Sequence, residues 1–378
     1  MGAAGIIFSN IHDGNLPELT RLRTTASVPF GCRYRFIDFA LSNMVNSNIY
    51  NISVITHYNY YQSLMDHIGS GKDWDLARRS GGIKILPPNI TAYANNRNAL
   101  YTTRLEALKS VNNAINRITD EYVVLSDCDV ICNVDFNDII NDHAKYGADM
   151  TVAVKRMYLT PAQASMNVLY ESDPDGRITD VLTYPTSFEG EADVSLNIVV
   201  MRTEYLHKIL LDSIAHGYTS LTREIIFKNL KYSNYRVYKY DGYFACISSF
   251  ADYYTASMDL IKSPEARASL FEVKNRPVLT KVRNSAPTYY SADSDVKNSL
   301  IADGCKIYGH VENSILFRGV KVGRNTTVKN SILMQDTQTG ENVYLNCVIT
   351  DKNVVIRDSR MLSGIGENPY YVPKGKML

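Results

Sequence analysis

The sequence predicts an α/β domain with a mostly parallel sheet, followed by a smaller domain of stacked parallel β coils. Short apolar runs alternate with amphipathic stretches over about the first 230 residues, the pattern of strands joined by helices on both faces of one sheet. Further on, the tetrapeptide Asn-(Ser/Cys)-aliphatic-aliphatic recurs as NSLI at 298, NSIL at 313, NSIL at 330 and NCVI at 346, in steps of 15, 17 and 16 residues. Internal repeats of that size mark coils that cannot bury an apolar face alone and must stack.

In order, IIF (6–8) reads as a buried strand, and FIDFALSNMVNSN (36–48) as a helix with Phe36, Ile37, Ala40, Leu41, Met44 and Val45 on one face. ISVIT (52–56) is a second strand, and YQSLMDHIGSG (61–71) a helix closed by glycine. ALYTTRLEALKSVNNAINRI (99–118) reads as one longer amphipathic helix. YVVLS (122–126) is a strand running into Asp127-Cys128-Asp129, FNDIINDHAKYG (136–147) a helix, and DMTVAVKRM (149–157) a strand. The domain spans 1–263. Residues 264–290, with Pro264, Pro277 and Pro287 and no clear periodicity, read as a connector, and 291–378 as a parallel β-helix with an aliphatic residue turned inward from each short strand. An antiparallel meander is the alternative, but it gives no reason for the same tetrapeptide to return once per circuit.

Composition narrows the function. The chain of 378 residues is 45% hydrophobic and 21% charged, with a formal net charge of +1. Without basic blocks it lacks the phosphate-neutralising surface of a nucleic-acid binder. No apolar run is long enough to span a membrane, no basic, apolar leader opens the chain, and MGAAGI lacks the Ser or Thr of a myristoylation signal. The six cysteines, Cys32, Cys128, Cys132, Cys246, Cys305 and Cys347, form no CxxC pair, as expected of reduced thiols in a cytoplasmic protein.

In an α/β sheet, ligands bind beyond the carboxyl ends of the strands. That brings together residues 9–16, 127–133 and 183–187. The stretch after the first strand, SNIHDGNL, has one glycine and no Lys or Arg, so it makes a poor phosphate cradle. Asp129 either holds Mg²⁺ beside phosphates or caps the next segment. His12 is either solvated or part of the site. Arg33 and Arg35, in GCRYRFID, either face an anion or, for Arg35, pair with Asp38.

ASVPFGCRYRFIDFALSNMVNSNIYNISVIT (26–56) resembles the N-terminal region of bacterial glucose-1-phosphate adenylyltransferase, also called ADP-glucose pyrophosphorylase. The likeness continues through HYNYYQSLMDHI (57–68), EYVVLSDCDVICNVDF (121–136), DGYFACISSFADYYTASMDLI (241–261) and the repeats. It implies a Rossmann-like nucleotidyltransferase domain joined to a left-handed β-helix, and the formation of ADP-glucose and pyrophosphate from ATP and glucose 1-phosphate for glycogen synthesis. Against the family's GGRGTRL loop stand Asn10 to Leu16, including Asn15, and its Lys-Pro falls on Thr25 and Ala26. Its glucose-contacting Glu-Lys-Pro falls on Thr183, Tyr184 and Pro185. One metal aspartate survives as Asp129, and the other falls on Cys246.

The loss of one fixed charge stabiliser costs on the order of 3–4 kcal/mol in the transition state. The pattern therefore resembles the GlgD-type subunit, a non-catalytic relative. That resemblance implies a heterotetramer with a catalytic pyrophosphorylase subunit whose apparent affinity for substrate or activator this chain raises; a homo-oligomer is the other assembly. No cofactor is required, with Mg²⁺ and ATP as vestigial ligands. Candidates for nucleotide, sugar-phosphate or anionic-effector contact are His12, Arg33, Arg35, Ser195, Asn197, Lys321 and Arg324. Two readings stay open beside it: an active nucleotidyltransferase using Asp129, His12, Arg33 and Glu224, and a stand-alone sugar-phosphate sensor.

Overall fold

A computed structural model describes residues 2–57, 60–87 and 101–378. Strands β1 (Ala3–Phe8), β2 (Asn51–Ile55), β3 (Gly82–Leu86), β4 (Tyr122–Asp127), β5 (Met150–Leu159), β6 (Val168–Ser172), β7 (Ile178–Thr183), β8 (Gly190–Arg202) and β9 (Tyr235–Lys239) form one nine-stranded sheet. β1 lies between β2 and β4 and parallel to both, so that Phe8, Ile55 and Asp127 end level. β3 continues the parallel half beyond β2. On the other flank β8 runs antiparallel to β4, β5 and β6, and β6 and β7 form a hairpin.

Alternate residues serve opposite faces. Ile7, Ile52, Val54 and Val124 pack with Phe36, Phe39, Leu41 and Met44 of the helix Phe36–Asn46. Ala4, Ile6, Phe8, Val123 and Leu125 pack with Leu105, Leu108, Leu206 and Leu210 on the other side. Helices thus cover both faces, as the alternating pattern predicts. Among the described residues no helix is long and apolar enough to cross a membrane.

Two stretches differ from the sequence reading. The long helix expected over 99–118 is a helix Arg104–Ser110 and a separate turn Asn112–Ile115; residues 99 and 100 lie outside the described residues. Thr103 starts it late, with a capping box in which its hydroxyl accepts from the Glu106 amide at 3.2 Å. β-branched Val111 leaves the helical region at φ −116° and ends it. The supposed connector begins with a helix, Pro264–Phe271. Ser263 caps it, and Pro264 occupies its first turn, where a missing N–H is harmless.

From Tyr289 onward, short parallel strands stack into three five-stranded sheets, the arrangement of a left-handed β-helix. Its corners need positive φ, supplied by Asn298, Asn313, Asn330 and Cys347 at one edge and by Gly304, Gly319, Asp336 and Asn353 at another. The repeated tetrapeptide has a division of labour. The serine hydroxyls of Ser299, Ser314 and Ser331 accept the amides of Ser314, Ser331 and Val348 one coil on, each at 3.1 Å. The second aliphatic residue, Leu316 or Leu333, lines the coil interior. The first, Ile315 and Ile332, faces outward and joins the core of the first domain, as does Ile349, which pairs with Ile332 in the ladder. The expectation of one inward aliphatic per strand therefore covers only half of the motif. At the fourth repeat the ladder pairs Ile332 with Ile349, so Cys347, rather than Asn346, takes the corner and the structural step is one residue longer than the text repeat.

Candidate functional site

The carboxyl ends of β1 and β4 open into a cavity of about 290 Å³ lined by Ile11, His12, Asn15, Asp129, Tyr184, Asn197 and Cys246, among others. The loop 9–16 and the 127–133 segment meet there as the topology requires. Of 183–187, Tyr184 alone reaches the lining, and it takes a left-handed φ of 54°.

The loop has turned its polar groups inward. The amides of Asp13, Asn15 and Leu16 donate to the carbonyls of Asn10, His12 and Asp13, closing a 3₁₀ turn at Asp13–Asn15. Amides spent in this way cannot cradle a phosphate. The Asp13 carboxylate accepts from both the amide and the hydroxyl of Thr25 at 2.7 Å, so Thr25 ties the loop to the segment that follows it. Burial pushes Asp13 up to about 6, against the pull of those two bonds.

Beneath the loop lies a compact ionic cluster. Asp127, 1% exposed, receives the Arg104 guanidinium side-on: Nε is 2.8 Å from Oδ1 and Nη2 is 2.6 Å from Oδ2. His12 Nε2 sits 2.6 Å from Asp127 Oδ2 and 3.4 Å from Asp129 Oδ2. Asn197 Nδ2 donates to Asp129 from 3.2 Å, and Cys246 Sγ lies 3.8 Å from it. Asn197 reaches in because β8 bulges between Ser195 and Val199, which puts Asn197 at φ 56° with its amide on the buried Ser195 hydroxyl.

The electrostatics follow from this packing. Burial alone would raise Asp127, but Arg104 and His12 outweigh it and hold its carboxyl below the ordinary value. Burial raises Asp129, with His12 opposing. Burial disfavours charge on His12, yet Asp129 and Asp127 win and raise it. Burial, reinforced by Asp129, keeps the Cys246 thiol protonated.

Ligand atoms of His12, Asp127 and Asp129 lie within 4.8 Å of one another, so a divalent cation has to be considered. Mg²⁺ wants several hard oxygens and retained water. Both Asp127 oxygens are already bonded to Arg104, and the group facing Asp129 from Cys246 is a thiol rather than a hard oxygen. The residues present do not fit Mg²⁺.

A second cluster lines a small cavity where the two domains meet: Arg33, Arg35, Arg283, Arg318 and Lys352, with His67 and Gln335. The Arg35 guanidinium donates to Ser63, while Asp38 accepts from the Arg35 backbone amide and caps the helix, so the two side chains form no ion pair. Lys321 and Arg324 are exposed on the coils and do not line this cavity. Glu224 caps its own turn, accepting the amides of Thr219 and Ser220, and is not among the residues lining the cleft.

Arg104, Arg283, Arg318 and Lys352 escaped the sequence reading. A signal for Arg104 existed. It is the first residue of a capped helix, where the macrodipole opposes a cation. An arginine placed against the dipole implies a carboxylate partner nearby.

The Nucleotidyl transferase family matches residues 14–260, and the family "GlmU-like, C-terminal hexapeptide" matches 287–370. The chain is 34% identical to the "Glycogen biosynthesis protein GlgD" of Bacillus subtilis (strain 168) over 98% of its own length and 95% of that protein. It is 36% identical to the "Glucose-1-phosphate adenylyltransferase" of Thermotoga maritima, over 83% of this chain and 73% of that one. To the enzyme of the same name from Fervidobacterium nodosum it is 30% identical, over 96% and 85%.

Proposed function

The chain belongs to the nucleotidyl transferase family of glucose-1-phosphate adenylyltransferases and GlgD proteins, and on that premise we propose that it is a regulatory subunit with little or no activity of its own. Its place is in glycogen biosynthesis, in the cytoplasm, where it joins a catalytic subunit in a heterotetramer and changes that subunit's response to substrate or effector.

The observation that carries this reading is the fate of the cleft's polar groups. The amides of Asp13, Asn15 and Leu16 bond to the loop's own carbonyls, and Arg104 and His12 neutralise the carboxylates. Among the described residues the cations nearest the cleft carboxylates, Arg104 and His12, are already paired, and fixed charge facing a developing phosphate charge is normally the largest contribution to such catalysis. Regulation draws support from the junction. Arg33, Arg35, Arg283 and Lys352 form no ion pair among the described residues, which leaves charge for an anionic effector. Assembly draws support from the last coils, where Met361, Ile365 and Met377 are 74%, 65% and 55% exposed.

Pyrophosphate release from ATP and glucose 1-phosphate tests it. The purified chain is expected to run at least about a thousandfold below a catalytic relative, since removing one such stabiliser already costs 10²–10³. Added to a catalytic subunit, it is expected to lower the concentration of substrate or activator needed for half-maximal rate. Brisk turnover by the chain alone overturns the reading, as does an unaltered partner at saturating ratios.

A further inference from the structure

We propose that Arg104 and His12 stand in for the divalent cation, so that the cleft takes no free divalent metal, and that neutralising Arg104 opens a hard-cation site at Asp127 and Asp129. This inference does not depend on the regulatory role; it concerns what the carboxylates can hold.

Each of the four carboxylate oxygens faces a protein donor. Asp127 Oδ1 takes Arg104 Nε at 2.8 Å, and Oδ2 takes Arg104 Nη2 and His12 Nε2, both at 2.6 Å. Asp129 Oδ1 faces Asn197 Nδ2 at 3.4 Å, and Oδ2 faces Asn197 at 3.2 Å, His12 at 3.4 Å and the Cys246 thiol at 3.8 Å. A metal ligand set is built the other way round, with lone pairs converging on a vacancy at about 2.0–2.6 Å. Here the vacancy is filled by N–H groups.

The bidentate Arg104 clamp is the decisive part. Both carboxylates are almost fully buried, at 1% and 2% exposure, so each needs a counter-charge whenever it is ionised. A guanidinium in fork geometry supplies a permanent one. A dication would have to displace Arg104, stranding a cation whose side chain is only 16% exposed, or sit beside it against like charge. Removing the guanidinium reverses the balance. Two buried carboxylates are then left close together with only His12 as counter-ion, an arrangement that draws in a hard cation.

Mn²⁺ serves as the probe, followed by loss of its free electron paramagnetic resonance signal on titration with the full chain. The wild type is expected to leave Mn²⁺ free up to about millimolar concentration, and Arg104→Gln to bind it at least about tenfold more tightly, a gain of about 1.4 kcal/mol. Arg104→Lys, which keeps the charge but loses the fork, is expected to bind Mn²⁺ more weakly than Arg104→Gln, and Asp129→Asn added to Arg104→Gln to abolish the gain. Circular dichroism melts establish that each variant is folded. If Arg104→Gln does not fold, His12→Asn frees the face between the carboxylates, and a smaller gain is expected there.

Tight Mn²⁺ binding by the wild type overturns the inference, and so does a folded Arg104→Gln chain that binds no better. Wild-type binding without pyrophosphate release overturns it while leaving the regulatory reading intact. Pyrophosphate release at an enzyme's rate overturns the regulatory reading instead.

Discussion

In the cleft, Asp127 and Asp129 meet Arg104 and His12 within a few ångströms; with His12 protonated, the four charges cancel. At the domain junction, Arg33, Arg35, Arg283 and Lys352 gather without an ion pair among the described residues, and Arg318 alone of the five lining cations has a carboxylate partner, Asp303 at 3.1 Å. One site has closed upon itself; the other keeps an excess of positive charge. The residues of either region can change without unmaking the scaffold, because the sheet core and the coil core are built from other side chains.

The largest expected effect comes from the link between the two regions. Arg23, just beyond the loop, meets Asp351 of the coils at 2.6 and 2.7 Å, with both side chains no more than 4% exposed. Tyr371 adds a bond to Asp351 at 3.2 Å. Arg23→Ala strands a buried carboxylate and should lower unfolding free energy by about 3–5 kcal/mol, read from urea denaturation. Arg23→Met combined with Asp351→Leu should recover most of that loss, since an apolar pair leaves no charge uncompensated. A loss near zero for Arg23→Ala would mean that water reaches the pair and that the domains are held by their other contacts, such as the Ile315, Ile332 and Ile349 face.

A smaller effect sharpens the electrostatic half of the comparison. Burial, and then the nearby Arg35 and Arg23, push Lys352 down to about 7, with Asp351 opposing. The unfolded chain keeps this lysine protonated up to about pH 10. Stability should therefore rise with pH between about 7 and 10, where the unfolded state holds the extra proton. An anion prefers the protonated lysine, so sulfate, whose charge is constant over this range, should bind more tightly as pH falls through 7. A gain of about tenfold between pH 8.5 and 6, about 1.4 kcal/mol, is expected by calorimetry. Lys352→Met should flatten the profile. An equal slope in that variant would assign the dependence to another group.

What the sequence made legible follows the range of each interaction. The strands, the helix at 36–46, the loop beneath Asp127 and the coil repeat are local patterns, written in consecutive residues. Asn197 was within reach as a candidate, but its grip on Asp129 depends on a bulge, and a bulge leaves no mark when the pairing strand is unknown. Arg104 answers a carboxylate 23 positions away through a helix cap that turns it toward β4. Arg283, Arg318 and Lys352 converge from three separate coil and connector segments, which no linear spacing brings together. The slip at Cys347 has a different cause. The eye aligns Asn346 with Asn330, whereas the ladder aligns whichever residue can accept positive φ at the corner.

The smallest expected effect tests whether the loop is a worn phosphate cradle or a settled turn. A phosphate-binding glycine is needed because a Cβ would clash with the ligand or because the backbone takes a positive φ. The protein itself makes neither demand on Gly14: its φ is not in the left-handed region, and a Cβ built there touches no protein atom within 4 Å. It lies inside the 3₁₀ turn, where the Asn15 amide donates to the His12 carbonyl and the Leu16 amide to the Asp13 carbonyl. Gly14→Ala should thus change stability by less than about 0.5 kcal/mol, or raise it slightly by narrowing the unfolded ensemble. It should also leave the partner's kinetics as they are. The same change in a loop that still wrapped a phosphate would cost affinity for the nucleotide, so a measurable loss of ATP binding in Gly14→Ala would mean that the turn opens and the cleft still receives a triphosphate.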